Sequence, residues 1–326
     1  MSDKTRALSL DYAERIRDAW PHATSVLDAM HKAGLGINDL RTAYRYRRLT
    51  EEKLGIHLPS LQPNHAGDWR IREGRDKPHT VYYDHPYTMV IFSDAHFWPG
   101  HTSPAFWILL QIIEELEPDI VIDNGDSWDG ASISRHPSNL WETKPTLRQE
   151  LDCVRDHLQL IEDVAGQDAY LLRHIGNHDI RLEALLLQRV PEIQDMPGTK
   201  VSDLFETWDH KVSTIFNEHL IVKHRYRSGM HSAYNNVLHS GLSIITGHTH
   251  KLGVRAHTDL RGTRYGIETG TLADPWGPQF RYVEQNTRDW RMGFAVVTVD
   301  GANMYPELVE VHEDGHAWFR GKVYKA

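Results

Sequence analysis

Five short polar segments each follow an apolar run, and each carries side chains that ligate metals or move protons. Gly176-Asn177-His178-Asp179 follows Tyr170-Leu171-Leu172, and Ser93-Asp94-Ala95-His96 follows Met89-Val90-Ile91-Phe92. Asn124-Gly125-Asp126-Ser127-Trp128-Asp129 follows Ile120-Val121-Ile122-Asp123. His224 follows Leu220-Ile221-Val222-Lys223, and Gly247-His248-Thr249-His250 follows Leu242-Ser243-Ile244-Ile245-Thr246. Imidazole and carboxylate suit divalent transition ions such as Mn, Fe, Zn or Ni. An imidazole left out of coordination is a natural proton donor near neutral pH. Any one of these histidines alone is more often a hydrogen-bonded core residue than a ligand. The shared pattern of apolar run, turn and ligand is what points to a common site.

The runs must be strands for that site to exist. They have strand length and are rich in Val, Ile and Leu, as strands buried on both faces are. Helical stripes separate the first three. Phe106, Leu109, Leu110, Ile113 and Leu116 trace one face of a helix over 104–116, and Leu147, Leu151, Val154, Leu158 and Ile161 do so over 146–165. A third helix includes Leu182, Leu185 and Leu186. The β-α-β-α-β order predicts a parallel or mixed sheet covered by helices. Sites in such sheets gather beyond the carboxyl ends of the strands, so all five segments are expected along one edge of one sheet. After His250 the runs Val254–His257, Tyr265–Glu268, Phe294–Val299, Glu307–Val311 and Trp318–Tyr324 predict a second, largely antiparallel sheet.

Composition narrows the classes. A chain of 326 residues can bury a large core and has room for an appendage. The single cysteine, Cys153, excludes a disulfide framework and a Cys-based zinc site. The net charge of -9 excludes a uniformly basic protein, although metal ions can supply positive charge to an acidic phosphate-binding site. The first twenty residues lack an apolar core of signal-peptide type, and the longest apolar stretch, Phe106–Ile113, is far too short to span a bilayer. A cytoplasmic protein with no membrane partner is expected.

Residues 1–60 predict a small helical region whose helix, Gly-containing turn and helix resemble a helix-turn-helix module. Arg41, Arg45 and Arg48 fall on one helical face, and Arg47 adds to it. Residues 1–80 carry 14 Lys/Arg against 11 Asp/Glu, while the remainder carries 22 against 34. That asymmetry fits a DNA- or RNA-facing appendage, and equally a solvated face on a packing or dimerisation element. Residues 61–86, with Pro63, Pro78 and Pro86, predict a linker with a possible short strand at Val81–Tyr83.

Asp-x-His, Gly-Asp-x-x-Asp, Gly-Asn-His-Asp, a lone His after a strand and Gly-His-x-His, in this order over roughly residues 85–270, resemble the calcineurin-like metallophosphoesterase superfamily. The resemblance implies a four-layer αββα sandwich of two mixed β-sheets flanked by helices, over residues 87–326. It also implies two divalent metal ions, with Mn²⁺ first in order and Fe, Zn or Ni as alternatives. Asp94, His96 and His250 would hold one ion. Asn177, His224 and His248 would hold the other, and Asp126 would bridge them. His178 would be the general acid and Asp129 the carboxylate that orients it. The implied activity is phosphoester hydrolysis by metal-activated water. Gly130 and Asp179 depart from the Ser/Thr protein phosphatases, which have Arg and Glu there. The pattern looks more like the nuclease, nucleotidase and phosphodiesterase branches. Arg135, His136, Arg225 and Arg227 flank the motifs as candidate phosphate contacts. A phosphodiester in nucleic acid or a nucleotide is the expected substrate. A small-molecule phosphatase, a cyclic-nucleotide phosphodiesterase and a catalytically silent DNA-tethered regulator remain open.

Overall fold

The protein is described here as a computed structural model covering residues 9–23, 26–37, 40–56, 58, 78–135, 143–193, 196–283 and 288–326. Three helices come first: α1 (Leu10–Ala19), α2 (Val26–Lys32) and α3 (Leu40–Leu54). They close around Ala13, Ile16, Trp20, Ala29, Met30 and Ala43. The arginines of α3 face inward as much as outward. Arg47 lies over the Trp20 ring at 5.5 Å and donates to the Leu58 carbonyl at 2.6 Å. Arg48 donates to the Gly166 carbonyl at 2.8 Å, and Arg45 stands 3.9 Å from Asp168. The side chain of Arg41 lies outside the described residues.

The remaining chain alternates strands and helices. In order these are β1 (His79–Val81), β2 (Tyr87–Phe92), α4 (Pro104–Leu116), β3 (Ile120–Asp123), α5 (Leu147–Ala165) and β4 (Tyr170–His174). Then follow α6 (Arg181–Arg189), α7 (Val201–Leu204), β5 (Asp209–Lys211), β6 (Ser213–Phe216), β7 (Leu220–Lys223), α8 (Ser232–Ser240) and β8 (Ser243–Thr246). The chain ends with β9 (Leu252–Asp259), β10 (Gly262–Thr269), β11 (Gly293–Asp300), β12 (Asn303–Glu310), β13 (His316–Phe319) and β14 (Lys322–Lys325). Local signals set several bounds. Ser103 caps α4 just before Pro104, and Thr146 with Gln149 forms a capping box on α5.

Two six-stranded mixed sheets result, in the orders β12-β11-β2-β3-β4-β5 and β1-β6-β7-β8-β10-β9. Met89, Ile91, Ile122 and Leu172 of the first meet Phe216, Leu220, Val222, Ile245 and Ile267 of the second in one buried layer. The other face of the first sheet packs Val90, Phe92 and Val121 against Phe106, Leu109, Val154 and Leu158 of α4 and α5. Helix α8 covers β8, β9 and β10. The architecture is two mixed sheets face to face with helices outside. No helix among the described residues is long and apolar enough to cross a membrane.

Two strand expectations are corrected. The five ligand segments do not line one sheet: β2, β3 and β4 belong to the first, and β7 and β8 to the second. The strands after His250 do not form one sheet together. β9 and β10 join the second sheet, β11 and β12 the first, and β13 with β14 makes a separate hairpin. A strand buried on both faces has the same composition in either sheet, and its neighbours are chosen by contacts distant in sequence. β1 falls within 61–86 and pairs in parallel with β6.

Ile122 is fully buried between the sheets, one residue before the β3 loop. Ile122→Ala is expected to lower the unfolding free energy by roughly 2–5 kcal/mol in urea denaturation. A loss under ~1 kcal/mol would mean the two sheets do not share a packed core there.

Candidate metal centre

The loops leaving β2 and β3 continue to pair beyond the strands. Asn124 N–H donates to Phe92 O at 2.7 Å, Asp94 N–H to Gly125 O at 2.9 Å and His96 N–H to Asp126 O at 3.0 Å. The second sheet is tied to them. His248 N–H donates to Asp94 Oδ2 at 2.8 Å, and Asn124 Nδ2 donates to Lys223 O at 3.1 Å. Two glycines permit the approach. A Cβ at Gly176 would overlap the Asp126 carboxylate and amide, and one at Gly247 would overlap Ser93 Oγ and Asp94 Oδ2. Nine non-glycine residues among those described have positive φ, and five are Asp94, His96, Asp126, His248 and His250. Such backbone costs roughly 1–3 kcal/mol each and persists only where surrounding structure enforces it.

The side chains converge in two groups, Asp94 with His96 and His250, and Asp126 with His224 and His248. Asp94, His96, Asp126 and His224 are at most 2 % exposed. His250 Nε2 lies 3.2 Å from Asp94 Oδ1, and His224 Nε2 lies 3.0 Å from Asp126 Oδ2. Yet Asp94 Oδ1, both His96 ring nitrogens, Asn177 Oδ1, His224 Nε2 and His250 Nδ1 are buried without a hydrogen-bond partner. Leaving a buried polar atom unpaired costs about 1–3 kcal/mol. The Asp and His atoms of each group lie within 4.8 Å of one another, as the donors around a metal ion do. The N/O composition suits a divalent transition ion, so the residues fit the metals that the sequence implies. Asp126 stands with the second group, its Oδ1 accepting from His178 N–H at 2.7 Å.

The tautomers are held by outer contacts. His224 Nδ1–H donates to the Asn124 carbonyl at 2.8 Å, which leaves Nε2 as the atom that could face a metal. His178 Nδ1–H donates to the Asp129 carbonyl at 2.9 Å and lies 3.1 Å from Asp129 Oδ1. His178 is in neither of the two groups of three above but groups with His96 and Asp129. Burial pulls the His178 pKa down, but the bond to Asp129 and the charges of Asp126 and Asp129 outweigh it and hold it above the ordinary value. Burial pushes Asp129 up, and the His178 and His96 rings, 3.1 and 3.3 Å from its Oδ1, hold it well below the carboxylate range. Asp94 is likewise drawn down to about 2, the charges of His250 and His224 overcoming burial. Burial opposes the proton on His224, yet Asp126 and Asp94 lift its pKa to about 10.

A cavity of about 1030 Å³ opens over these groups, with Asn177, His178 and His248 in its wall. Arg135 and Arg225 line it. Arg227 instead lies 5.9 Å from the Tyr226 ring, and His136 is outside the described residues.

No family model matches the chain. It is 28% identical over 257 residues to the Gene 54 protein of Mycobacterium phage L5, across 71% of this chain and 98% of that protein. The Gene 54 protein of Mycobacterium phage D29 is 27% identical over 253 residues, with the same coverage of 71% and 98%. Among solved structures it is similar to Vacuolar Protein Sorting 29 from Cryptosporidium parvum, with TM-score 0.39, 13% identity, and 74% and 97% of the two chains covered. It is also similar to Yfce, a phosphoesterase from E. coli, with TM-score 0.33, 12% identity, and 68% and 98% covered.

Several supporting residues escape motif reading. Arg173, 1 % exposed, sits 2.8 Å from both Asp123 Oδ2 and Asp179 Oδ1 and lies over the Phe205 ring. Asp179 Oδ2 accepts from the amides of Asp126 at 2.9 Å and Gly176 at 2.7 Å. Asp179 therefore clamps the two loops and is not itself turned to the ligand groups. Buried Glu150 accepts from the amides of Asp129 and Gly130 at 3.1 and 2.6 Å. Burial and the Asp129 charge push Glu150 up to about 7. The signal available was charge in apolar company: Arg173 inside β4, and Glu150 on the packed side of α5.

Arg173→Met leaves Asp123 and Asp179 buried without a counter-ion. It is expected to destabilise by ~3–5 kcal/mol, and adding Asp123→Asn should recover part of that. A melting temperature unchanged by Arg173→Met would refute the clamp. A second expectation concerns protons. His224 keeps its ring proton below about pH 10 without metal, whereas Asp126, its pKa lowered, is already ionised. Metal uptake at pH 7–8 should release about one proton at this site, and the release should vanish as pH passes 10. Calorimetry in buffers of different ionisation enthalpy measures it, and a buffer-independent binding enthalpy would contradict it.

Proposed function

We propose that this protein is a divalent-metal-dependent phosphoesterase that hydrolyses phosphodiester bonds in nucleic acid or nucleotides. The observation that carries this reading is the charge of the cavity wall. Arg135, Lys144, Arg181, Arg189 and Arg225 line it, against one described carboxylate, Asp129, in a chain of net charge -9. Clustered Lys and Arg are the electrostatic footprint of a phosphate-bearing ligand. Trp98 and Tyr282, in the same wall, offer faces on which a base can stack. The volume, about 1030 Å³, exceeds what a small monoester fills and suits a nucleotide-sized group.

In this reading Asp94, His96 and His250 would hold one ion, and Asn177, His224 and His248 the other, with Asp126 shared by the two. Divalent ions there supply Lewis acidity toward the phosphoryl oxygens and make water nucleophilic near neutral pH. The chain's own part is proton delivery and orientation. Asp129 fixes Nδ1–H of His178, so Nε2 is the atom that hands a proton to the departing oxygen. Burial opposes that proton, and Asp129 and Asp126 favour it strongly enough to raise the His178 pKa above its ordinary value. Arg135 and Arg225 hold flanking phosphates. Contact with nucleic acid is assigned to the cavity and not to α3, whose Arg45 and Arg48 already face Asp168 and Gly166.

The test is hydrolysis of bis-p-nitrophenyl phosphate and of the monoester, with Mn²⁺ and with a chelator. Faster, chelator-sensitive turnover of the diester is expected, followed by activity on a panel of DNA, RNA and nucleotides. A preference for the monoester would make the protein a small-molecule phosphatase, and no turnover of either ester would favour a silent regulator. His178→Ala should retain metal and slow turnover by roughly 10²–10⁴-fold, less for esters with good leaving groups. An equal loss for good and poor leaving groups would remove His178 from the acid role.

A further inference from the structure

Arg181 opens α6, and its side chain crosses the backbone of Gly130 into the cavity wall. A Cβ at Gly130 would lie 3.1 Å from Arg181 Cδ, so the bare glycine leaves room for the arginine stem. The guanidinium is held at two points. Nη1 donates to the Asp129 carbonyl, and Nη2 lies 3.1 Å from His178 Nε2. The side chain is 22% exposed, on the side that faces the cavity.

These two contacts differ in kind. The Asp129 carbonyl also accepts His178 Nδ1–H, so Arg181 and His178 share one anchor. With Nδ1–H committed there, the neutral ring accepts the Arg181 Nη2–H at Nε2, and the contact is lost once Nε2 carries a proton. Yet Nε2 is also the atom that must face a leaving oxygen. The Nη2 contact has to be given up when a substrate is in place, whereas the Nη1 contact does not. A guanidinium pivoting on the Asp129 carbonyl would carry Nη2 from Nε2 into the adjoining cavity. A phosphoryl group placed against His178 would present its non-bridging oxygens there. Arg suits this task better than Lys, because its planar fork can serve a carbonyl and a phosphoryl oxygen together.

We propose that Arg181 is a substrate-phosphate-binding residue. It rests on unprotonated His178 Nε2 in the free protein and passes that N–H to a non-bridging phosphoryl oxygen of the bound ester, freeing Nε2 to take up from water the proton that it then gives to the leaving oxygen. The proposal rests on the phosphoesterase reading above and adds a residue to it.

The experiment uses the full chain loaded with Mn²⁺, unaltered and as Arg181→Gln and Arg181→Lys. Inorganic phosphate binding is measured by calorimetry, and turnover with diesters of good and poor leaving groups. Arg181→Gln should weaken phosphate binding by roughly 10- to 100-fold at unchanged metal content. It should lower kcat/KM by a similar factor for both kinds of leaving group, unlike His178→Ala. Arg181→Lys keeps the charge and most of the stem, and should lose less. It carries the test if the Gln variant fails to fold. Unchanged phosphate affinity in a folded, metal-loaded variant would overturn the proposal. So would a loss that grows for poor leaving groups, which would make Arg181 a positioning residue for His178. If the unaltered protein neither binds phosphate nor turns over any ester, the phosphoesterase reading itself fails.

Discussion

A single buried guanidinium couples the loops that matter. Arg173 projects from β4 between Asp123, the last residue of β3, and Asp179, the last residue of the Gly176–Asp179 turn. Each ion alone would be costly in this interior. Paired, they fix where β3 ends, where the turn after β4 begins, and how far apart the two run. Asp179 then spends its second oxygen on the amides of Asp126 and Gly176. Asp126, Asn177 and His178 are thus set relative to one another before any ligand arrives. Burial and the neighbouring Asp179 raise the Asp123 pKa to about 6 against the pull of Arg173. That balance marks the clamp as a device of position more than of net stability.

What the clamp supports is a site under strain. Five candidate ligands hold left-handed backbone, and six of the site's buried polar atoms lack hydrogen-bond partners. Both features oppose folding. The core between the sheets and the packing of α4 and α5 must offset them, and bound cations would offset them directly. The outer contacts keep this from collapsing. The Asn124 carbonyl holds His224, the Asp129 carbonyl holds His178, and Glu150 holds the amides that carry Asp129.

Charge is distributed to match. Carboxylates are gathered inside, where they face imidazoles, while cationic side chains stand around the rim of the cavity. An acidic protein can attract a polyanion only through such local segregation. Arg181 stands where the two zones meet, touching both the His178 ring and the cavity.

The sequence by itself determined the inventory of candidate ligands, its order along the chain and the strand ends that carry it. Each depends on local properties: an apolar run, a turn residue, a donor-bearing side chain. Helices 104–116 and 147–165 were legible for the same reason, since a periodic stripe and a capping residue act within a few turns. Only the tertiary structure decided that β7 and β8 belong to a different sheet from β2, β3 and β4, because strand partners are selected by contacts far apart in sequence. It also decided what Arg173, Glu150 and Arg181 do. A charged residue has no meaning in a sequence until the group it faces is known, and those groups lie across loops and between elements. Arg45 and Arg48 illustrate the converse. They share a helical face with a plausible ligand in mind, yet in the fold their neighbours are Asp168 and Gly166 of the same chain.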